Sequence, residues 1–286
     1  MIVRAMVLGG LASGCVEEAP VSGTGCGFGE PNDTVDAATP VDVDGRYTDL
    51  CVTGSDGDDP ADWFVLTAPA DAAGGVVTAA LENVRDGGLA EFSVIALADG
   101  GSVPLNPYSV EFDQPVSGWF TVAPGASYAI GVVRFAGTGP QYTYDLRLDY
   151  QAIPDPQEPN PKESPTAIEL GQDIRGSFAG VTAASVLQQG EALDAFTFDL
   201  SASTVRVSLT DVPADLACDV ELFDAAGLGV GEAYQTDPGL DCVIDAESLE
   251  PGSYTAWVHV FAGEPPNAGG GEAPGWVTAQ YTLRVD

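Results

Sequence analysis

An internal repeat is the feature that most constrains what this chain can fold into. Four short motifs occur in the first half of the 286 residues and return in the same order in the second half. The pairs are Glu30-Pro31-Asn32 and Glu158-Pro159-Asn160, Asp62-Trp63-Phe64 and Asp194-Ala195-Phe196, Pro124-Gly125-Ala126-Ser127-Tyr128 and Pro251-Gly252-Ser253-Tyr254, and Tyr144-Asp145-Leu146 and Tyr281-Thr282-Leu283. The repeating unit has the size of a whole domain, so the chain is predicted to contain two copies of one domain.

Each copy has the residue pattern of short strands separated by turns. Apolar and polar residues alternate along 144–149 and along 205–209, and a period of two is typical of a strand with one buried face. The 35 glycines and 21 prolines include turn signals such as Pro124-Gly125 and Pro251-Gly252, which end strands. We find no long amphipathic helix. The pattern predicts an all-β fold of two tandem antiparallel β-sandwiches.

The N-terminus has the features of an export signal. Arg4 is followed by a short apolar run and by small residues before Cys15, and the run is shorter than the ~20 residues that cross a bilayer. Ser13-Gly14-Cys15 resembles a bacterial lipobox, in which the cysteine is acylated and becomes the first residue of the mature protein. We expect an exported lipoprotein of the outer membrane or cell surface, anchored to the membrane through Cys15. A plain secretory signal is the alternative.

The chain is thus predicted to have five parts. Residues 1–14 form the signal peptide, 15–27 a lipidated tether, 28–150 the first sandwich, 151–157 a proline-rich linker and 158–286 the second sandwich. The linker sequence is short and rich in proline, which predicts a stiff connection.

The number of cysteines is odd, and an unpaired thiol in an exported protein needs a reason. Assigning Cys15 to the lipid leaves two cysteines in each half: Cys26, Cys51, Cys218 and Cys242. The simplest pairing is one disulfide per half, Cys26–Cys51 and Cys218–Cys242. Four reduced thiols in a cytosolic protein are the alternative, which the export signal disfavours.

The charge balance limits the possible partners. Lys and Arg number 9 against 43 Asp and Glu, a net charge of −34. Such a chain repels nucleic acid and anionic lipid head groups and attracts cations, so we expect no nucleic-acid partner. The one histidine, His259, leaves no multi-histidine metal site. No catalytic signature surrounds it, so we expect no enzyme.

The ordered motifs resemble the bacterial pre-peptidase C-terminal domain, a β-sandwich of jelly-roll type. The residues that carry the resemblance are Glu30-Pro31-Asn32-Asp33-Thr34, Asp59-Pro60-Ala61-Asp62-Trp63-Phe64, Pro124-Gly125-Ala126-Ser127-Tyr128 and Tyr144-Asp145-Leu146, with their repeats. Such domains usually follow secreted peptidases, and their relatives include the collagen-binding modules of clostridial collagenases. Here no peptidase precedes them, and Pro161-Lys162 replaces Asp33-Thr34 in the second copy.

The resemblance implies a calcium site, because the equivalent segments of the collagen-binding modules chelate calcium. In copy one the matching residues are Glu30, Asn32, Asp33, Asp59 and Asp62, which supply the oxygen ligands that calcium prefers. Copy two retains Glu158, Asn160 and Asp194, a weaker second site beside Lys162. An acidic turn in an acidic protein is the alternative interpretation.

One strand of copy two also predicts a binding surface. Trp257 and His259 alternate with apolar residues and so share the exposed face, and Trp276 could join them in an aromatic platform for sugar or peptide. Edge packing or a contact between the domains is the alternative. We expect a non-catalytic binding or adhesion module for an extracellular polysaccharide or protein. A structural or solubilising envelope protein, or an accessory protein of a secreted peptidase system, are the other interpretations.

Overall fold

Two β-sandwiches follow one another along the chain. The computed structural model describes residues 23–53, 61–70, 74–85, 88–98, 101–109, 116–137, 141–153, 155–157, 164–178, 194–260 and 268–286. The strands of the first half are β1 (Gly23–Thr24), β2 (Thr39–Pro40), β3 (Arg46–Thr53), β4 (Ala61–Thr67), β5 (Gly75–Arg85), β6 (Gly88–Ala98), β7 (Gly101–Ser109), β8 (Val116–Val122), β9 (Ser127–Gly137) and β10 (Gln141–Ala152).

The second half supplies ten more strands. They are β11 (Thr166–Ala167), β12 (Asp173–Ser177), β13 (Asp194–Leu200), β14 (Thr204–Thr210), β15 (Cys218–Asp224), β16 (Gly229–Tyr234), β17 (Cys242–Glu247), β18 (Gly252–Val260), β19 (Ala268–Gly270) and β20 (Gln280–Val285). Two short 3-10 helices, Val35–Ala37 and Gly275–Thr278, complete the described elements. Neither of these helices has the length or the apolar character needed to cross a membrane.

The two halves share one strand order. In the first sandwich, sheet A runs β1-β3-β10-β5-β8-β19 and sheet B runs β2-β4-β9-β6-β7. In the second, sheet C runs β11-β13-β18-β15-β16 and sheet D runs β12-β20-β14-β17. Sheet C repeats sheet B strand for strand, and sheet D repeats the four central strands of sheet A. The predicted all-β fold of two tandem sandwiches is confirmed.

The cores follow from the period-two pattern. Phe64 and Ile130 of sheet B are fully buried with Leu81 and Leu146 of sheet A, so alternate residues of facing strands fill the space between the sheets. The second copy does the same with the side chains of sheets C and D, among them Phe196, Val207, Leu222 and Leu283.

Both predicted disulfides are present. Cys26 bonds Cys51 with a Cα–Cα distance of 4.9 Å, and Cys218 bonds Cys242 with a distance of 6.3 Å. The first bridge ties the segment after β1 to β3, while the second joins β15 of sheet C to β17 of sheet D. The two bridges therefore occupy different places in the repeat. They indicate that the chain folds outside a reducing cytosol.

The first sandwich begins earlier than the predicted boundary at residue 28. Gly23 and Thr24 form β1, which pairs in parallel with β3 at the edge of sheet A, and Cys26 is held by its disulfide. The last five residues of the predicted tether, 23–27, therefore belong to the first domain. The predicted signal peptide and the rest of the tether, including Cys15, lie outside the described residues.

A strand from the second half completes the first sandwich. β19 pairs antiparallel with β8, and Gly271 N donates to Ser117 O at 2.8 Å. Gly269 lies opposite Trp119, and a Cβ at this position would come within 2.7 Å of the indole nitrogen. Only a glycine allows the two backbones to approach so closely beside the indole ring.

Aromatic side chains also pack at the contact between the two sandwiches, which we call the joint. Trp276 of the second half is 6% exposed and meets Trp119 of the first edge-to-face, with ring centroids 6.0 Å apart. Val76 and Ile153 of the first sandwich belong to the same buried cluster as the core of the second. The two sandwiches are therefore packed together along a common apolar surface.

The predicted linker is part of this joint. Asp155 is 2% exposed, and its carboxylate accepts hydrogen bonds from Gln157 N at 2.8 Å and Ser177 N at 2.6 Å. The carboxylate thus fastens the connection to the end of β12, so the stiffness comes from a buried hydrogen-bonded carboxylate as well as from proline.

Candidate functional site

The predicted calcium segment of copy one packs against the start of β4. Asn32 is fully buried, and its carbonyl accepts a hydrogen bond from Trp63 N at 2.9 Å. Asn32 N in turn donates to Glu30 Oε2 at 3.3 Å. With its amide nitrogen turned towards Glu30, the Asn32 side chain donates to both carboxylate oxygens, at 3.2 and 3.3 Å.

Two further predicted ligands differ in their surroundings. Asp33 Oδ1 is buried without a hydrogen-bond partner among the described residues. Asp62, which is 3% exposed, accepts a short hydrogen bond from the Tyr144 hydroxyl. This bond joins sheet B to sheet A through the core.

The same bond occurs in copy two. Asp194 accepts a short hydrogen bond from Tyr281, so sheet C is joined to sheet D as sheet B is to sheet A. An Asp–Tyr pair at the same place in both sandwiches is a structural element of the fold. The motifs predict both aspartates as metal ligands, and the structure gives each a tyrosine as hydrogen-bond donor.

The rest of the predicted metal ligands cannot be placed. Asp59 of copy one and Glu158 and Asn160 of copy two lie outside the described residues. Within the described residues, no three His, Cys, Asp or Glu side chains come close enough together to hold a metal ion. The predicted ligands of copy one that the structure describes are therefore Asn32 and three carboxylates, Glu30, Asp33 and Asp62.

The structure corrects the predicted aromatic platform. Trp276 is buried against Trp119 and takes no part in an exposed surface. Trp257 and His259 do lie on the outer face of sheet C, where both are partly exposed. The aromatic neighbour of Trp257 is instead Phe223 of β15, with ring centroids 4.0 Å apart.

The position of Trp257 reflects an exchange between the copies. In copy one Trp63 of β4 faces Gly131 of β9, and its ring fills the space where a Cβ would lie. In copy two the same register pairs Ala195 of β13 with Trp257 of β18. The large and small residues have changed strands, which places the indole of copy two beside β15.

Carboxylates surround this aromatic pair in cross-strand rows. Glu221 of β15 lies between Trp257 of β18 and Glu232 of β16. The next row places Asp219 between His259 and Tyr234. Two glutamates directly opposite one another are unfavourable for the sheet.

Asp219 is the most enclosed carboxylate of the face. It is 8% exposed, its Oδ2 lies 3.6 Å from His259 Nε2, and its Oδ1 has no hydrogen-bond partner among the described residues. Burial raises the pKa of Asp219 above its ordinary value, against the opposing effect of His259, and the charge of Glu232 raises it further. The carboxylate is therefore held in surroundings that disfavour its charge.

A groove opens between β15 and β16 beside these residues. Its volume is about 300 Å³, and it is lined by Glu221, Phe223, Gly229, Val230, Gly231 and Glu232. A Cβ at Gly229 would approach no atom more closely than 3.9 Å, that atom being Phe223 Cε1. The missing side chain leaves the Phe223 ring accessible from the groove.

Another polar cluster has a structural role. At the bulge of β10, Asp145 accepts hydrogen bonds from Asp49 N at 2.9 Å and Asn83 Nδ2 at 2.6 Å. Asp49 and Asn83 have φ values of 55° and 49°. In copy two Thr282 donates to Asp211 at 2.7 Å, and Asp211 has a φ of 59°. A left-handed residue bonded to the neighbouring last strand recurs in both copies, and in copy one it lies at the bulge of β10, so the cluster has a structural role.

The sequence pattern predicts Trp257 and His259 on this face but not Asp219, Glu221, Phe223 and Glu232. The alternation Cys218-Asp219-Val220-Glu221-Leu222-Phe223 was a visible signal, because it puts three polar or aromatic residues on one face. The pairing of that strand with β18 was the missing information.

Comparison with known proteins gives structural likeness only. No protein-family model matches the chain, and no curated protein matches it. The pre-peptidase C-terminal domain of a collagenase from Bacillus anthracis is 18% identical, covering 44% of this chain and 99% of its own, with a TM-score of 0.29. The match to tripeptidyl peptidase 2 is 13% identical, with a TM-score of 0.32, and covers 82% of this chain but only 22% of that one.

A tandem module is also similar. The N-terminal CBM22-1-CBM22-2 tandem domain of Xyn10C from Paenibacillus barcinonensis is 11% identical, covering 78% of this chain and 82% of its own, with a TM-score of 0.24. At such identities and TM-scores these likenesses establish no shared ligand or activity.

Proposed function

We propose that this chain is an exported, non-catalytic binding protein that presents the outer face of sheet C to an extracellular polymer or protein. The observation that carries the proposal is the partly exposed Phe223–Trp257 pair beside an open groove. Aromatic side chains have few rotatable bonds, so they gain contact area on binding with little loss of conformational freedom.

Export and anchoring form the second part of the proposal. The two disulfides support a location outside the cytosol, and Cys15 would carry the lipid that holds the protein at the outer membrane or cell surface. The packed joint between the sandwiches supports presentation as a single rigid body, because the second sandwich cannot swing freely about residues 151–157.

Calcium binding by copy one is the third part. Glu30, Asn32 and Asp33 bring three oxygen-bearing side chains into one short segment, and Asp33 Oδ1 is buried with no hydrogen-bond partner among the described residues. These atoms fit the chemistry of calcium, which prefers carboxylate and amide oxygens. Bound there, calcium would supply positive charge that offsets the repulsion among these oxygens. Its role would be to stabilise the loop against β4, not to act on a substrate.

An array of glycans and matrix proteins tests the binding proposal. The full chain should bind at least one class of polymer, and Trp257→Ala and Phe223→Ala should each weaken that binding. Leu228→Ala removes another exposed apolar side chain, 66% exposed and off the aromatic pair, and should leave binding unchanged. Absence of binding, or binding that both aromatic substitutions leave intact, would favour a structural envelope protein instead.

A further inference from the structure

We infer that the partner of this face is a protein segment rich in lysine or arginine, whose cationic side chain enters the groove beside Phe223. The inference rests on the proposed function and names the chemistry of its ligand. Three features support it: the distribution of charge over the second sandwich, the composition of the groove and the state of Asp219.

The two sheets of the second sandwich differ in charge. The described strands of sheet C contain no lysine or arginine, whereas those of sheet D contain three arginines. Two of these arginines form ion pairs: Arg206 lies 2.8 Å from Asp245, and Arg284 lies 3.0 Å from Asp173. The charges of sheet D are thus largely balanced within the chain, and the excess of carboxylates faces outward from sheet C. A surface of this kind attracts cations.

The groove combines the two elements that bind a basic side chain. Phe223 offers a ring face for the apolar stem and for a cation–π contact. Glu221 and Glu232, opposite one another across the groove strands, offer two carboxylates. A cation between the two glutamates would turn an unfavourable like-charge pair into two favourable ones. A neutral sugar would leave that repulsion in place.

Asp219 supplies an independent observation in the neighbouring row. Its Oδ1 is buried without a partner among the described residues, and the residue as a whole is 8% exposed. A buried carboxylate oxygen without a donor is costly unless a ligand supplies one. A second basic residue of the same segment, lying along the sheet towards His259 and Tyr234, would provide donors to it.

Copy one has other residues at the positions that form the groove, which predicts one site per chain. At the positions equivalent to Glu221, Phe223 and Trp257 it carries Ser93, Ile95 and Gly131. The repeat therefore supplies an internal comparison: copy one retains a carboxylate, Glu91, at the position of Asp219 but lacks the glutamate and the aromatic pair at the groove.

Calorimetry with defined peptides tests the inference. The full chain is titrated at 0.15 M salt, a strength at which long-range attraction is screened, with octalysine, octa-arginine and a fully acetylated octalysine. The unmodified peptides should bind at one per chain and the acetylated peptide should not. E221Q/E232Q should weaken binding about tenfold, the size of two modest charge contacts. The control D215N/D237N removes two exposed loop carboxylates and should change affinity by less than about twofold.

Melting curves of the variants show whether a loss of binding comes from a loss of folding. E221Q/E232Q removes a like-charge pair, so its melting temperature should equal or exceed that of the parent chain. Equal weakening by both double variants would show that net charge alone attracts the peptides, and the inference would be wrong. Binding of a glucosamine oligomer but of neither basic peptide would exclude a protein partner. Binding of a neutral polymer that Trp257→Ala abolishes, with no binding of basic peptides, would overturn this inference and leave the proposed function standing.

Discussion

Replacing Trp276 with alanine should loosen the joint between the two sandwiches. The side chain is 6% exposed and lies against Trp119, itself 2% exposed. Truncating a buried tryptophan removes its transfer free energy and leaves a cavity, a combined cost of about 3–5 kcal/mol. The loss should fall on the second sandwich, because Trp276 belongs to its buried cluster.

This cost is large enough to measure by calorimetry. For a domain of this size it corresponds to a fall in melting temperature of about 10–15 °C. The parent chain should unfold in one transition that couples the sandwiches, and Trp276→Ala should resolve a second transition at lower temperature. Gly269→Ala should also lower the melting temperature, because the added Cβ would lie 2.7 Å from Trp119 Nε1 and push β19 away from β8.

Leu228→Ala is the matched control. Leu228 is apolar but 66% exposed, so its truncation should change the melting temperature by no more than a degree or two. If Trp276→Ala behaves like Leu228→Ala, or if the two sandwiches melt separately in the parent chain, the joint does not couple the domains and the argument is refuted.

Three further predictions concern the ion, the anchor and pH. Calcium at ~100 times its dissociation constant should add about 2.7 kcal/mol to the free energy of unfolding of the chain, and magnesium at matched ionic strength should add less. Asn32→Ala should abolish this difference between calcium and magnesium. If thermal melts of the variant retain the difference, the site is excluded. Cys15→Ser should move the exported protein from the detergent phase to the aqueous phase, and unchanged partitioning would exclude the lipid anchor. Because burial raises the folded pKa of Asp219, stability present at acid pH is lost as the pH rises through that pKa. Asp219→Asn should therefore gain stability relative to the parent chain as the pH rises above about 4, the ordinary pKa of an aspartate; parallel pH profiles in urea melts would contradict this.

The fold was predictable because its signals are local and repeated. Alternation along 144–149 and 205–209 identifies strands with one buried face, and the ordered motifs show that the second half repeats the first. The disulfide pairing followed from the position of two cysteines in each half. None of these conclusions needs knowledge of which strands are neighbours.

The joint was not predictable for the opposite reason. β19 has the sequence Ala-Gly-Gly, which carries no strand propensity. It becomes a strand because β8 presents an unpaired edge and Trp119 leaves room only for a glycine at position 269. Trp276 looked exposed because its partner lies in the other copy, far away in sequence.

The Asp–Tyr pairs show that residues aligned between the copies can make a contact that their own motifs do not indicate. Asp62 and Asp194 recur at matching positions, and so do Tyr144 and Tyr281. Reading the aspartates together with the motifs around them favoured metal ligands. Reading them with the tyrosines of the last strand would have indicated a bond between the sheets, which the structure shows in both copies.

The positions at which the two copies differ are therefore the most informative about function. The core pattern and the Asp–Tyr pairs are shared, so they do not distinguish the copies. Besides the different place of its disulfide, copy two has two groups of distinguishing residues: the terminal segment that supplies β19 and Trp276 to the joint, and the outer residues Glu221, Phe223 and Trp257 of sheet C. The first group fixes copy two against copy one, and the second gives the fixed domain an acidic aromatic face. A rigid support with one distinctive face is the arrangement that a non-catalytic binding protein requires.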